Sequence, residues 1–264
     1  MTVEGKKTVG GAKIKTGAEI SAMREACSMA ATVLRKSAAL VTPGLTTAAL
    51  DAAVGELIRS YGGVSAFIGY RNFPSQCCLS VNEGVVHGIG DQRRLQFGDV
   101  LKLDIGVRYR GFIGDVAMSI AVGGCSPIGQ KLMDATTQAL YLGISSARSG
   151  NRVSDISRAI QRHVEGNGFS IVREFVGHGV GRSLHEEPQI PNFVDKRSSD
   201  KLVAGMTIAI EPMVNAGAAP VEILPDGWTV VTKDRQLSAH FEHTVLVTDG
   251  EPEILTRDGL PPLY

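Results

Sequence analysis

The chain has 264 residues, with 27 Lys or Arg against 27 Asp or Glu, so its formal net charge is zero. That balance leaves no electrostatic footprint for nucleic acid or an anionic membrane, and no apolar run approaches the ~20 residues that span a bilayer. The opening MTVEGKKTVGGAKIKTG lacks the apolar stretch of a secretory signal, and four cysteines (27, 77, 78 and 125) without CxxC spacing read as reduced thiols of a cytoplasmic protein.

In chain order, residues 1–13 read as a flexible lead and 14–264 as a single domain. Ile20 to Ser37 is helical in pattern, with Met23, Cys27, Ala30, Ala31 and Leu34 on one stripe. Pro43 and Gly44 break it, and a second helix runs from about Thr46 to Tyr61 until Gly62-Gly63 ends it. Val64 to Val86 is strand and loop, with aromatics at Phe67, Tyr70 and Phe73. Ser126 to Ala147 and Val153 to Val164 are two further helices.

Between the helix pairs lies LKLDIGVRYRGFIGDVAMSIAV, residues 101–122. Its two strictly alternating runs predict a hairpin. A turn over Arg108–Gly111, centred between Tyr109 and Arg110, sets Asp104 directly opposite Asp115. Facing Cβ atoms on one sheet face stand roughly 4.5–5.5 Å apart, so the two carboxylates would share a proton or hold a cation. Gly106, Gly114 and Ala117 are expected to clear space around them.

The second half repeats the order of the first. Residues 43–63 align with 149–169, pairing Gly44 with Gly150 and Gly62 with Gly168; residues 98–106 align with 205–213, which puts Asp104 on Glu211. Two pseudo-repeat halves follow, about 14–125 and 126–264. Thr207, Ala209 and Glu211 share one face of a strand that Pro212 ends. Glu242 interrupts a last long strand from Ala239 to Thr248. The glycine-rich FVGHGVGRSLHEEP (175–188) reads as a loop bringing His178 and His185 close to something, and a further histidine, His87, follows a short apolar strand. His163 and His240 are read as structural. Asp104, Asp115, His178, Glu211 and Glu242 together suit two divalent cations of the Mn, Fe, Co or Zn kind.

These residues sit in VNEGVVHGI, KLDIGV, GFIGDVAMS, GHGVGRSLHEEP, IAIEPMVNAG, PDGWTV and SAHFEHTVLVT. From about residue 14 to 255 the chain resembles the type I methionine aminopeptidases. The resemblance implies an α/β (α+β) fold of the pita-bread creatinase/aminopeptidase kind, with pseudo-twofold antiparallel sheets covered by helices. It implies hydrolysis of an N-terminal methionine ahead of a small residue. Asp104 would chelate one metal and Asp115 bridge both; His178 and Glu211 would hold the other, with Glu242 the second bridge. His185 would hydrogen-bond the scissile carbonyl, His87 the backbone near the leaving nitrogen, and Glu211 would carry the proton. The methionine pocket would be Tyr70, Phe73, Cys78 and Trp228, edged by Phe67 and Leu184; Leu184, Phe67 and Phe73 depart from side chains common in the family. A monovalent cation would sit on carbonyls of Asn82, Gly84 and Ser238. The implied partners are the N-terminal methionine of nascent chains and the ribosome surface, for a monomer.

Three rivals share the fold. A general or proline-adjacent aminopeptidase is expected to carry a large extra N-terminal domain. A type II enzyme would need an insertion that the 33 residues from His178 to Glu211 exclude. A non-catalytic binding protein would have lost metal ligands, and none is lost.

Overall fold

The structure is a computed structural model describing residues 8–195 and 200–257. Residues 1–7 of the expected lead and 258–264 lie outside the described residues. The rest of that lead, residues 8–13, forms a small hairpin, β1 (Thr8–Val9) with β2 (Ala12–Lys13). Helix α1 (Gly17–Ala38) opens on a capping box in which Thr16 Oγ1 accepts from the Glu19 N–H and Glu19 accepts from the Thr16 N–H. Its predicted stripe is buried throughout. Helix α2 (Thr47–Ser60) follows Thr46 as N-cap.

β3 (Val64–Ser65) and β4 (Cys78–Val81) flank the aromatic loop. β5 (Val100–Tyr109) and β6 (Phe112–Ala121) then form the predicted hairpin. Its register corrects the expected one. The turn has two residues, Arg110 and Gly111, at φ 49° and 81°, the primed geometry that matches strand twist. The pairing therefore moves by two residues. Asp104 faces Ala117, and Asp115 faces Gly106. The carboxylates stay on one face but lie on a diagonal, where neighbours are about 7–8 Å apart. Gly114 points to the opposite face and clears room for α1, not for the carboxylates: a Cβ there would stand 2.5 Å from the Ala26 carbonyl oxygen.

Helices α3 (Pro127–Ser145) and α4 (Val153–Gly166) begin the second half. After β7 (Ser170–Ile171) come β8 (Gly177–Gly179), β9 (Glu186–Ile190) and β10 (Thr207–Ile210). Then follow β11 (Met213–Asn215), β12 (Val221–Ile223), β13 (Val230–Thr232), β14 (Ser238–His240), β15 (Glu242–Leu246) and β16 (Glu253–Ile254). The expected strand over residues 239–248 is thus two strands. The chain changes sheets at Phe241: β14 pairs with β11, and β15 with β6, β10 and β16.

The central sheet runs β3-β5-β6-β15-β10-β8-β9 and is antiparallel at every pairing among the described residues, with β4 on β5 and β16 on β15. One face of β5 and β6 packs Leu101, Leu103, Ile105, Val107 and Val116 against α1 and α2. One face of β10 and β15 packs Ile208, Ile210 and Val245 against α3 and α4. The two halves repeat the same backbone bonds. Gly44 N–H donates to Leu95 O as Gly150 N–H does to Leu202 O, Leu95 N–H to Leu45 O as Leu202 N–H to Asn151 O, and Gly98 N–H to Val122 O as Gly205 N–H to Val247 O. With the helices stacked on one side, the polar row of every central strand is left to the other.

Candidate metal centre and substrate pocket

Register alone assembles that polar face. Asp104, Ala117 and Glu242 stand side by side on β5, β6 and β15. Ile210 pairs with His243, so Glu211, the next residue, falls beside Glu242. On the neighbouring row Asp115 binds Thr244: its N–H donates to Thr244 Oγ1 and its carbonyl accepts from the same hydroxyl. Ala209 then faces Thr244 on one side and His178 on the other. Small residues between the ligating ones leave the carboxylates room to converge.

His178 lies in strand β8 and not in a loop. The glycines that argue against a helix instead let this strand nest between two others. A Cβ at Gly177 would meet the Ala209 carbonyl oxygen at 2.4 Å, and one at Gly179 the Glu187 carbonyl oxygen at 2.2 Å. His178 Nδ1 lies 2.9 Å from the Gly179 carbonyl, which can only accept, so Nδ1 carries the proton and Nε2 a lone pair. That Nε2 is 3.5 Å from Glu211 Oε1 and 3.8 Å from Asp115 Oδ2. Ligand atoms of Asp115, His178 and Glu242 all fall within 4.8 Å of one another.

Burial, and next the charge of a neighbouring carboxylate, raises all four carboxyl groups well above their ordinary range: Glu211 acts on Asp104, Asp104 on Asp115, and Asp115 on both glutamates. Burial lowers His178 to about 3 and His87 to about 4, with His185 adding to both shifts. A cluster of acids that resists ionising beside an imidazole that resists protonation is incomplete without positive charge. Asp104 Oδ1, Asp115 Oδ1 and Glu242 Oε1 are buried without a hydrogen-bond partner. The donor set of carboxylates and one imidazole fits divalent metal ions.

The cluster forms the floor of a cavity of about 240 Å³, below the ~300–1,000 Å³ of drug-sized sites, which limits it to about one side chain. Phe67, Tyr70, Phe73, Cys78, His87, Leu184, His185 and Trp228 all line it. Phe73 packs edge-on against Trp228, ring centroids 5.1 Å apart. Tyr70 Oη lies 2.7 Å from His185 Nδ1, and the His185 ring lies tilted at 53° against that of His178, centroids 4.2 Å apart.

Three residues at the site escape the sequence reading. Phe175 closes the wall against His87 at 5.3 Å, and Arg71 lies on the rim at φ 49°. His240, read as structural, places Nε2 3.4 Å from Glu211 Oε2. The break at Phe241 turns it inward, and no sequence period marks that break. His163, by contrast, stays on the outer helix α4 beside Asn167.

At the expected monovalent-cation site the Asn82 carbonyl already accepts the Ser238 N–H at 3.0 Å and Lys102 Nζ at 2.7 Å.

The family described as Metallopeptidase family M24 matches residues 21–249. A curated relative, methionine aminopeptidase 1 of Bacillus subtilis, is 45% identical over 243 residues, covering 92% of this chain and 98% of the relative. The crystal structure of the Thermotoga maritima methionine aminopeptidase superposes with a TM-score of 0.90 at 41% identity, covering 93% of this chain and 99% of that one. The prolidase of Pyrococcus furiosus superposes with a TM-score of 0.76 at 22% identity, over 92% of this chain and 65% of that one, a likeness of fold alone. The fold is therefore the M24 pita-bread fold.

Proposed function

Because the chain belongs to metallopeptidase family M24, we propose that it is a methionyl aminopeptidase, removing an N-terminal methionine when the next residue is small. One observation carries the reading: a cavity sized for about one side chain has aromatic and apolar walls, a Cys78 thiol, and a floor of five potential ligands. An unbranched thioether suits such a wall.

Asp104, Asp115, His178, Glu211 and Glu242 would hold two divalent ions, which supply Lewis acidity and bring water ionisation toward neutral pH. Glu211, whose backbone carbonyl is fixed by Asn192 Nδ2 at 3.0 Å, takes a proton from water and passes it to the leaving amine. If the Tyr70 hydroxyl donates to His185 Nδ1, Nε2–H is left to donate to the scissile carbonyl. His87, neutral through burial, faces the peptide backbone near the leaving nitrogen. A bulky second side chain would push the carbonyl off His185, and a misplacement of about 1 Å costs around 100-fold.

Among the described residues no helix is long and apolar enough to cross a membrane. A monomer working in the cytoplasm on nascent chains at the ribosome surface, built as one catalytic domain of two repeated halves, completes the proposal. The test compares Met-Ala-Ser, Met-Thr-Ser, Met-Lys-Ser and Leu-Ala-Ser by kcat/KM with metal added. The first two are cleaved well and the others at least about tenfold more slowly. Equal cleavage of Leu-Ala-Ser would replace the reading with a general aminopeptidase.

A further inference from the structure

The polar face of the central sheet carries, besides its acids, one lysine. Lys102 stands two residues before Asp104, between Ser80 on β4 and Ser119 on β6. It is 1% exposed, and it makes no ion pair with a carboxylate among the described residues. Its Nζ instead donates to two carbonyls, Asn82 O at 2.7 Å and Val100 O at 3.3 Å.

Three segments meet at the Asn82 carbonyl. β4 ends there, with Asn82 at φ 53°, and the chain runs on to His87. β5 reaches it through Lys102. The start of β14 reaches it through the Ser238 N–H at 3.0 Å. Two residues further along β14 is His240, the contact of Glu211; Ser119 Oγ, on the strand beside Lys102, both accepts from the His240 N–H and donates to its carbonyl. A carbonyl oxygen has two lone pairs, and here both are used. No lone pair remains on the Asn82 carbonyl oxygen for an ion from solution, because Lys102 Nζ and the Ser238 N–H already occupy both.

We infer that Lys102 takes the place of the monovalent cation expected on Asn82, Gly84 and Ser238, so that the group tying β4, β5 and β14 together behind the pocket is a side chain of the protein itself. Lys102 is a positioning residue: it fixes the segment leading to His87 and the strand bearing His240, and touches no substrate.

The test uses the full chain in choline, sodium or potassium chloride at matched ionic strength. The melting midpoint is read with and without divalent metal, and kcat/KM on Met-Ala-Ser with it. The parent should give the same values in all three salts. Lys102→Ala, which opens a space beside a vacated carbonyl, should lose about tenfold in kcat/KM in choline. It should recover in sodium, potassium or ethylammonium chloride. Lys102→Met fills the space without a donor, and should be as impaired in every salt. A parent that melts earlier or slows in choline would overturn the inference without any variant being needed. So would a Lys102→Ala protein equal to the parent in choline. The turnover arm rests on the proposed function, but the melting arm does not: if no methionyl peptide is cleaved while the parent melts alike in all salts, the function fails and the inference stands.

Discussion

At the residue scale, the two central histidines differ in what their free nitrogens face. His178 aims Nε2 at Glu211 and Asp115, whereas His185 is bound through Nδ1 to Tyr70. His178→Ala should therefore lower bound metal. His185→Ala should leave metal content unchanged and reduce kcat by roughly 10²–10³, the usual cost of an oxyanion donor. Metal analysis beside kcat for both proteins checks this, and equal metal loss would end the division of roles. Tyr70→Phe removes only the group that fixes the His185 tautomer. It should lower kcat more than it raises KM, by about tenfold or less. An unchanged kcat would mean that the Tyr70 bond orders the ring without consequence.

At the element scale, the turn between β8 and β9 that carries Leu184 and His185 is held by one carboxylate. Glu186 Oε1 accepts from the Arg182 and Ser183 N–H groups at 3.1 and 3.2 Å and from Lys13 Nζ at 3.2 Å; Oε2 accepts from Lys15 Nζ at 2.9 Å. Burial would raise the Glu186 carboxyl, but Lys15 and the turn's N–H groups outweigh it and hold it below 4.5. Burial simultaneously lowers Lys15 from 10.5 against the pull of Glu186, so part of the gain on the acid is spent on the base. The sign follows from the acid. Its contribution is complete above pH 4.5 and fades as pH falls through the lower folded value. The melting midpoint of the parent should thus drop more steeply on acidification below pH 4.5 than that of Glu186→Gln, which has no such proton to gain. Parallel curves would show that Glu186 is held no more tightly folded than unfolded. Through His185, Glu186→Gln should also reduce kcat.

At the scale of the whole molecule, the carboxylate floor joins the two halves, and its electrostatics run opposite to Glu186. Asp104, Asp115, Glu211 and Glu242 all have folded pKa values raised by burial and mutual repulsion. The metal-free fold binds more protons than the unfolded chain, so its stability falls as pH rises from the ordinary carboxylate range toward neutrality. Asp104→Asn and Glu242→Gln each remove one charge. With chelator, both should melt at or above the parent temperature at neutral pH, while turnover with saturating metal is abolished. Added metal should raise the parent midpoint and do so less for either variant, because only the folded ligand set binds it. Calorimetric melts with chelator and with metal, beside an activity assay, decide; near-normal turnover of either variant would remove its side chain from the metal site.

Alternation and glycine breaks were enough to locate four helices, the central hairpin and the unexpected carboxylates, because a strand's period of two and a helix's of 3.6 are local properties of the chain. Local order could also align the halves, since Gly44 and Gly150 each close the same turn onto a distant carbonyl. Long-range pairing was not legible. The two-residue turn at Arg110-Gly111 moved Asp104 from Asp115 to Ala117, a shift that keeps both on one face and is therefore invisible to alternation. The crossing at Phe241 split one apparent strand and turned His240 toward Glu211. By alternation Lys102 shares the polar face of its strand with Asp104, and only the fold placed the Asn82 carbonyl within reach of its Nζ. Sequence determined which side chains face the same way; only the tertiary structure decided which backbone atoms meet them, because a hydrogen bond across 20 residues depends on where separate strands dock.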